Sequence, residues 1–355
     1  MNYKSTILVA PLNWGLGHAT RCIPIIHALQ DEGHTVIIGS DGEALHLLRK
    51  EFTDLQHIEL PSYKIQYAKN GATFKKKMVM RSPIIIKAIR KEHRILDRLI
   101  TNYRITGVIS DNRLGLYTKR VPTVFMTHQL DVLSGKTTWI TTQIHRHFIK
   151  KFDECWVPDV AATQLNLSGQ LGHPKKLGIP VRYIGPISRF KKEVLPIKYT
   201  ILVLLSGPEP QRGLLEDILK KELKRYNGSV LFVRGVITDK EEKPIVSGNL
   251  TIINYLTSSD LQNAINSSEF VISRSGYTTI LDLAVLEKKA FFIPTPGQTE
   301  QEYLAQRLHK RGIVPYVSQD KFSVKKLAKI AVYSGFSAVS NGTPLRNFFG
   351  LFEGK

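Results

Sequence analysis

The chain has 355 residues, with 50 Lys and Arg against 30 Asp and Glu, a formal net charge of +20 and 42% hydrophobic residues. That length exceeds one ordinary domain and suits two α/β domains of roughly 100–200 residues each. The apolar content, with no low-complexity tract, excludes a disordered or fibrous chain.

The first predicted strand, Thr6–Ala10, lies in an apolar stretch that Asn13 and Gly15 soon break, so it is no secretion signal. No run of about 18 apolar residues follows, so the expectation is a cytoplasmic protein whose membrane contact, if any, is peripheral on the inner face. Cys22 and Cys155 have no metal-ligand spacing around them and read as buried free thiols of a reducing compartment.

Apolar, β-branched runs at Thr35–Gly39, Gln56–Leu60, Gly107–Ser110 and Thr123–Thr127 continue the series, separated by segments of helical periodicity. This is the pattern of βαβ units in a parallel sheet. A second series follows at Ile201–Leu205, Val230–Val233, Thr251–Asn254, Phe270–Ser273 and Ala290–Ile293. The glycine and prolines between Ile184 and Pro196 mark the seam. The expected division is residues 1–186, an N-terminal Rossmann-like domain; 187–335, a C-terminal one; and 336–355, a segment that returns to the first with Leu345, Phe348, Phe349 and Phe352.

Open sheets of this kind take ligands beyond the carboxyl ends of their strands, where helix N-termini face anions. Three turns therefore stand out: Gly15-Leu16-Gly17-His18-Ala19-Thr20-Arg21, Ser206-Gly207-Pro208-Glu209-Pro210, and Ser273-Arg274-Ser275-Gly276-Tyr277-Thr278. In the last, Ser275 and Gly276 can present a hydroxyl and amides to a diphosphate, with Thr278 in the helix that follows. Asp282, two turns in, reads as a ribose contact. Gln298, Glu300 and Gln301 in the next strand-to-helix loop read as contacts to sugar hydroxyls. His18, an imidazole at the first turn of the helix, suits either proton abstraction from an acceptor hydroxyl or polar stabilisation; helix capping is the structural alternative. Asp111 and His128 end neighbouring strands. Asp111 would orient His18 or take a proton, His128 would hold acceptor or phosphate, and capping of the next helices is the alternative for both.

The order and spacing of Arg274, Ser275, Gly276, Asp282, Gln298 and Gln301 resemble the MurG-like group of GT-B glycosyltransferases, and the resemblance spans most of the chain. It implies an α/β GT-B fold, two Rossmann-like domains facing each other across a cleft, the first binding the acceptor and the second the nucleotide sugar. It further implies that Arg189, in Gly185-Pro186-Ile187-Ser188-Arg189, contacts the diphosphate, and that Tyr255 and Leu256 line the nucleobase pocket. Asp282 stands where that group has glutamate. Ser206 and Gly207 occupy the place of its phosphate loop, but Pro208 and Pro210 lack two of its N–H donors.

The implied reaction is transfer of a hexosyl group from a nucleotide-diphosphate sugar, by resemblance a UDP-sugar, to an acceptor hydroxyl that is lipid-linked or membrane-associated. Gly-Leu-Gly-His-Ala-Thr-Arg also resembles the UDP-sugar hydrolase of pseudaminic acid synthesis, in which water is the acceptor. A non-catalytic protein binding a nucleotide sugar or an anionic surface is the remaining alternative. No Asp-x-Asp pair occurs, so neither a metal site nor any cofactor beyond the donor itself is expected.

Between Lys64 and Arg98 stand eleven basic residues against Glu92 and Asp97. Ser82-Pro83 reads as a helix start, with Ile85, Ile89, Leu96 and Leu99 on one face and Lys87, Arg90, Lys91, Arg94 and Arg98 around it. Phe74, Met78, Val79 and Met80 fall in the expected preceding loop. The region 64–100 is thus a candidate for an anionic membrane surface, or a solvated helix packed on the sheet. No nucleic-acid module is recognisable.

Overall fold

A computed structural model describes residues 4–64, 71–132, 138–174, 177–207, 209–236, 243–337, 339 and 343–353, with the backbone alone for 71–82, 138 and 140. The chain forms two compact units. One is built chiefly from residues up to Ser188 together with the C-terminal segment, the other chiefly from Arg189–Val339.

The elements of the first unit are β1 (Thr6–Pro11), α1 (Leu16–Asp31), β2 (Thr35–Ser40), α2 (Gly42–Glu51), β3 (Gln56–Glu59), α3 (Gly71–Tyr103), β4 (Gly107–Asp111), β5 (Thr123–Met126), α4 (Thr138–Ile149), β6 (Glu154–Val157) and β7 (Val181–Tyr183). All seven strands pair in parallel, in the order β3-β2-β1-β4-β5-β6-β7. Strands β6 and β7 extend the five runs legible in the sequence. The order reverses between β1 and β4, so the turns after these two strands diverge and leave a crevice at the carboxyl edge. Strands β1, β4 and β5 are covered on both faces and are apolar nearly throughout, as central parallel strands must be.

The helix expected to begin at Ser82-Pro83 instead begins at Gly71 and carries Pro83 within it. Phe74, Met78, Val79 and Met80 therefore lie on helical backbone, and their side chains fall outside the described residues. Leu96 and Ile100 join the core formed by Leu8, Ile37 and Val108, while Ile89 packs with Leu12 and Tyr63 and is flanked by Ile85 and Phe148. The stripe Ile85, Ile89, Leu96, Leu99 is thus core, whereas Lys87, Arg90, Lys91, Arg94 and Arg98 are exposed.

The second unit contains β8 (Tyr199–Leu204), α5 (Gln211–Leu223), β9 (Val230–Val233), β10 (Ile245–Ser247), β11 (Leu250–Ile253), α6 (Ser258–Asn266), β12 (Ser268–Ser273), α7 (Tyr277–Val285), β13 (Lys289–Phe292) and α8 (Thr299–Lys310). Its sheet runs β10-β11-β9-β8-β12-β13, parallel except for the antiparallel edge strand β10. The reversal here lies between β8 and β12, which brings the turns after those strands to one crevice. The core of this unit is Ile201, Val203, Leu215, Leu219, Phe232, Ile272 and Phe291 with their neighbours.

The C-terminal segment belongs to the first unit. Phe348, Phe349 and Phe352 lie 6.0, 6.3 and 6.2 Å from the buried Trp156 ring, and Ser5 Oγ donates to the Phe352 carbonyl at 2.8 Å. Aromatic rings in such tilted and edge contacts add attraction beyond the area they bury. Because Phe349 is fully buried, Phe349→Ala should destabilise the first unit by about 3–5 kcal/mol. Denaturant unfolding measures this, and a change below about 1 kcal/mol would show that the segment contributes little to the core.

Candidate active site

At the crevice of the first unit the chain turns from β1 into α1 through Gly15, whose φ of 75° is a conformation that glycine adopts without strain. Among the described residues nothing lies within 4 Å of where its Cβ would stand. Gly17 and His18 then form the first turn of α1. Three residues further, on the same helix face, comes Arg21, which the sequence motif contained but which carried no assigned role.

Asp111 ends β4 directly beside this turn and is fully buried. Its Oδ1 lies 3.0 Å from His18 Nδ1, its Oδ2 accepts from Arg21 Nε at 2.6 Å, and Arg21 Nη2 donates to Oδ1. Asn112, with φ 61°, adds its amide to Oδ1 at 3.2 Å. Burial by itself raises the Asp111 carboxyl, but the Arg21 charge and the His18 contact outweigh it and hold the group well below the usual carboxylate range.

His18 Nδ1 also lies 2.9 Å from Arg21 Nη2 and 3.4 Å from Asn112 Nδ2, so it faces one acceptor and two donors; the tautomer with its proton toward Asp111 leaves the Nε2 lone pair for another partner. Arg21 Nη1 also donates to His128 Nδ1 at 3.0 Å. Since arginine cannot accept, His128 Nδ1 accepts and the ring carries its proton on Nε2. Beyond it, burial chiefly lowers His145 to about 4, so that this imidazole is neutral too. Asp111 and His128 are therefore not helix caps but parts of one network around Arg21. Burial and the nearby Asp111 charge push the Cys22 thiol up, and burial raises that of Cys155, so both stay protonated.

A second buried arginine, Arg113, braces the same edge. It bonds Pro11 O at 3.0 Å, Pro61 O at 3.1 Å and Glu92 Oε1 at 2.5 Å, and it pairs with Asp41. Glu92 also accepts from Tyr63 Oη at 2.7 Å, so α3, β1 and the ends of β2 and β4 are tied together beneath the site.

In the second unit, Ser206 and Gly207 are exposed at the end of β8, Gly207 with φ 100°. Pro208 lies outside the described residues. Gly276 caps α7 in an extended conformation, and among the described residues only Thr279 Oγ1, at 3.9 Å, comes near its would-be Cβ. Thr278 and Asp282 follow in α7, both half-buried. Ser275 is buried and donates to Gln301 O at 2.8 Å. Gln301 in turn accepts from Thr295 N at 2.8 Å and donates to Gln298 Oε1 at 2.6 Å, fixing Gln298 at the start of α8, next to the half-buried Glu300. Gln301 is thus a support for Gln298 rather than a surface donor.

Arg274 does not face a ligand, contrary to the motif's implication. Its guanidinium donates to Ile293 O, Pro294 O, Gln211 O and Gln319 Oε1 at 2.7–3.1 Å, and it is 2% exposed. It pins the ends of β12 and β13 to α5, and burial lowers it to about 10, still cationic at neutral pH. Arg189 lies near α6, 3.2 Å from Ser258 Oγ and with its guanidinium carbon 4.7 Å from the Phe190 ring centroid. Its Nε is buried with no partner among the described residues. Tyr255 and Leu256 are half-buried between β11 and α6. Among the described residues no three His, Cys, Asp or Glu converge as a metal site.

Residues 209–332 match the glycosyltransferase family 28 C-terminal domain. An uncharacterised glycosyltransferase of Methanosarcina acetivorans is 23% identical over 327 residues, which are 84% of this chain and 82% of that protein. A UDP-N-acetylglucosamine–N-acetylmuramyl-(pentapeptide) pyrophosphoryl-undecaprenol N-acetylglucosamine transferase of Buchnera aphidicola subsp. Schizaphis graminum is 22% identical, covering 93% of this chain and 89% of its own. Among solved structures, spinosyn rhamnosyltransferase SpnG complexed with thymidine diphosphate superposes with a TM-score of 0.61 at 15% identity, over 94% of this chain and 93% of that one.

Asp111→Asn should cost about 3–5 kcal/mol near pH 7, because it leaves Arg21 charged and buried without its counter-ion. The Asp111 carboxyl is depressed in the folded state, so its stabilisation is fully present above the unfolded value of about 3.9 and fades as pH falls below it. The stability gap between wild type and variant, followed by denaturant unfolding, should therefore narrow below about pH 4. A gap that stays constant down to pH 3 would show that Asp111 is not the ion that holds Arg21.

Proposed function

We propose that this chain, a MurG-like glycosyltransferase of the GT-B fold, moves a hexosyl group from a UDP-sugar to an acceptor hydroxyl, with His18 as general base. The observation that carries the reading is the 3.0 Å contact between His18 Nδ1 and Asp111 at the crevice of the first unit. With the ring proton on Nδ1 toward Asp111, Nε2 is the nitrogen that takes the acceptor's proton, and the carboxylate stabilises the imidazolium formed.

In the reaction, the acceptor oxygen loses its proton to His18 Nε2 and forms a bond to the anomeric carbon. The bond from that carbon to the diphosphate oxygen breaks, and UDP leaves. The donor belongs to the second unit, where the N-terminus of α7 at Gly276, together with Ser206, Gly207 and Arg189, neutralises the leaving diphosphate without a metal. Gln298, steadied by Gln301, addresses the sugar, Asp282 the ribose, and Tyr255 and Leu256 the base. The named transferase of Buchnera aphidicola and the thymidine diphosphate bound to SpnG support a nucleotide-sugar donor.

The acceptor is proposed to be membrane-associated. Ile84 and Ile86 on α3 and Trp139 and Ile144 on α4 are 43%, 44%, 72% and 56% exposed. The two helices meet, for Phe148 packs in the same cluster as Ile85 and Ile89. Lys87, Arg90, Lys91 and Arg94 are exposed on the same helix as Ile84 and Ile86, a combination that suits an anionic leaflet. Among the described residues no helix is long and apolar enough to cross a membrane.

His18→Ala should lower the turnover number about 10²–10⁴-fold while leaving UDP affinity unchanged. Turnover assays and UDP titration check this, and the same activity should survive excess EDTA. Variant activity equal to wild type would remove His18 from the chemistry. Release of free sugar without acceptor at the transfer rate would make the enzyme a hydrolase. Vesicles containing anionic lipid should sediment the protein in a salt-sensitive manner, and the double variant Trp139→Ser, Ile144→Ser should bind them several-fold less well. Equal binding by wild type and variant would exclude this surface.

A further inference from the structure

We propose that Arg234 binds the diphosphate of the nucleotide sugar, a role that rests on the donor reading above. Arg234 follows β9 at the carboxyl edge of the second sheet, a position to which the sequence assigned nothing. Its backbone N–H donates to Ile253 O at 2.9 Å on one side, while Leu205 N donates to Val233 O at 3.0 Å on the other. Strand order therefore places it between the exposed Ser206-Gly207 turn after β8 and Asn254-Tyr255-Leu256 after β11. A group there stands between the segments proposed for phosphate and for base, as a diphosphate must.

The side chain is held for that task. Arg234 Nε donates to Glu216 Oε1 at 2.7 Å and Nη1 to Asn254 Oδ1 at 2.7 Å, while the side chain remains 30% exposed. Glu216 is itself buried and also pairs with Arg212 and Lys220. Burial raises its carboxyl, but hydrogen bonds from Lys220, Arg212 and Arg234 prevail and lower it to about 2, so it stays ionised as an anchor. Gly235 follows with φ 69°, and a Cβ there would meet Leu205 O at 2.2 Å. The arginine is thereby clamped against the end of β8.

Three cations, Arg212, Lys220 and Arg234, face two anions, Glu209 and Glu216, within this network. The surplus is one positive charge, and Arg234 is the member joined to strand ends on both sides. The need for it is written in the neighbouring turn, where Pro208 and Pro210 carry no N–H for a phosphate oxygen. A planar guanidinium with one edge committed to Glu216 and Asn254 can offer its outer N–H groups to phosphate oxygens in charge-assisted hydrogen bonds.

Calorimetric titration of the full chain with UDP and with uridine tests this in wild type, Arg234→Ala and Arg234→Lys. The expected result is UDP binding about 10- to 100-fold weaker in Arg234→Ala, the span of hydrogen bonds to charged groups, with uridine affinity unchanged. Arg234→Lys should fall between, and it carries the test should the alanine variant fail to fold. Unchanged UDP affinity in the variants overturns the proposal. Equal losses for UDP and uridine overturn it too, because they mark a purely structural residue. Wild-type protein that binds no UDP at all would remove the donor reading, and this role with it.

Discussion

An arginine and an aspartate, both fully buried at the end of the first sheet, set the terms for everything around them. Arg21 and Asp111 lie where β4 ends beside the first turn of α1, and neither tolerates loss of the other in a medium that solvates charge poorly. The pair contacts the ring of His18 on one side and that of His128 on the other, each through Nδ1. A single buried ion pair thus holds two histidine rings at the same crevice.

That pair could not form in an arbitrary sheet. It needs the reversal of strand order between β1 and β4, which brings the turn after the first strand beside the end of the fourth. Arg113, Asp41, Glu92 and Tyr63 then hold the edge from below, linking a long helix to the strand ends. The second unit repeats the plan with different chemistry. There the reversal lies between β8 and β12, and the buried Arg274 is held by backbone carbonyls and Gln319 rather than by a carboxylate, whereas Arg212 pairs with Glu209 and Glu216. One unit thus surrounds its crevice with a polar network suited to moving a proton, and the other with helix N-termini and amides suited to holding an anion.

Most strands legible in the sequence are apolar runs buried on both faces, though β3 is exposed at Gln56 and Glu59, while β6 is buried throughout but short and opened by Glu154. Those that were not legible are β6, β7 and β10, four, three and three residues long. β10 is exposed along its length and β7 only partly covered, so neither shows an apolar pattern. The early start of α3 escaped notice because Ser82-Pro83 is a good local start signal, and proline within a helix is unfavourable in isolation.

The sequence by itself determined the fold class and marked the three strand-to-helix turns and His18, because such junctions are local chemistry that needs no distant partner. It also marked Asp111 and His128 as strand-end residues, without saying whether they cap helices or meet each other. Only the tertiary structure decided that they meet through Arg21, 90 and 107 positions away. It also decided that Arg274 turns inward and that Arg234 stands at the sheet edge. The physical reason is common to all of these cases: where a guanidinium points depends on which acceptors the fold brings to it, and those acceptors come from strands and helices far away in the chain.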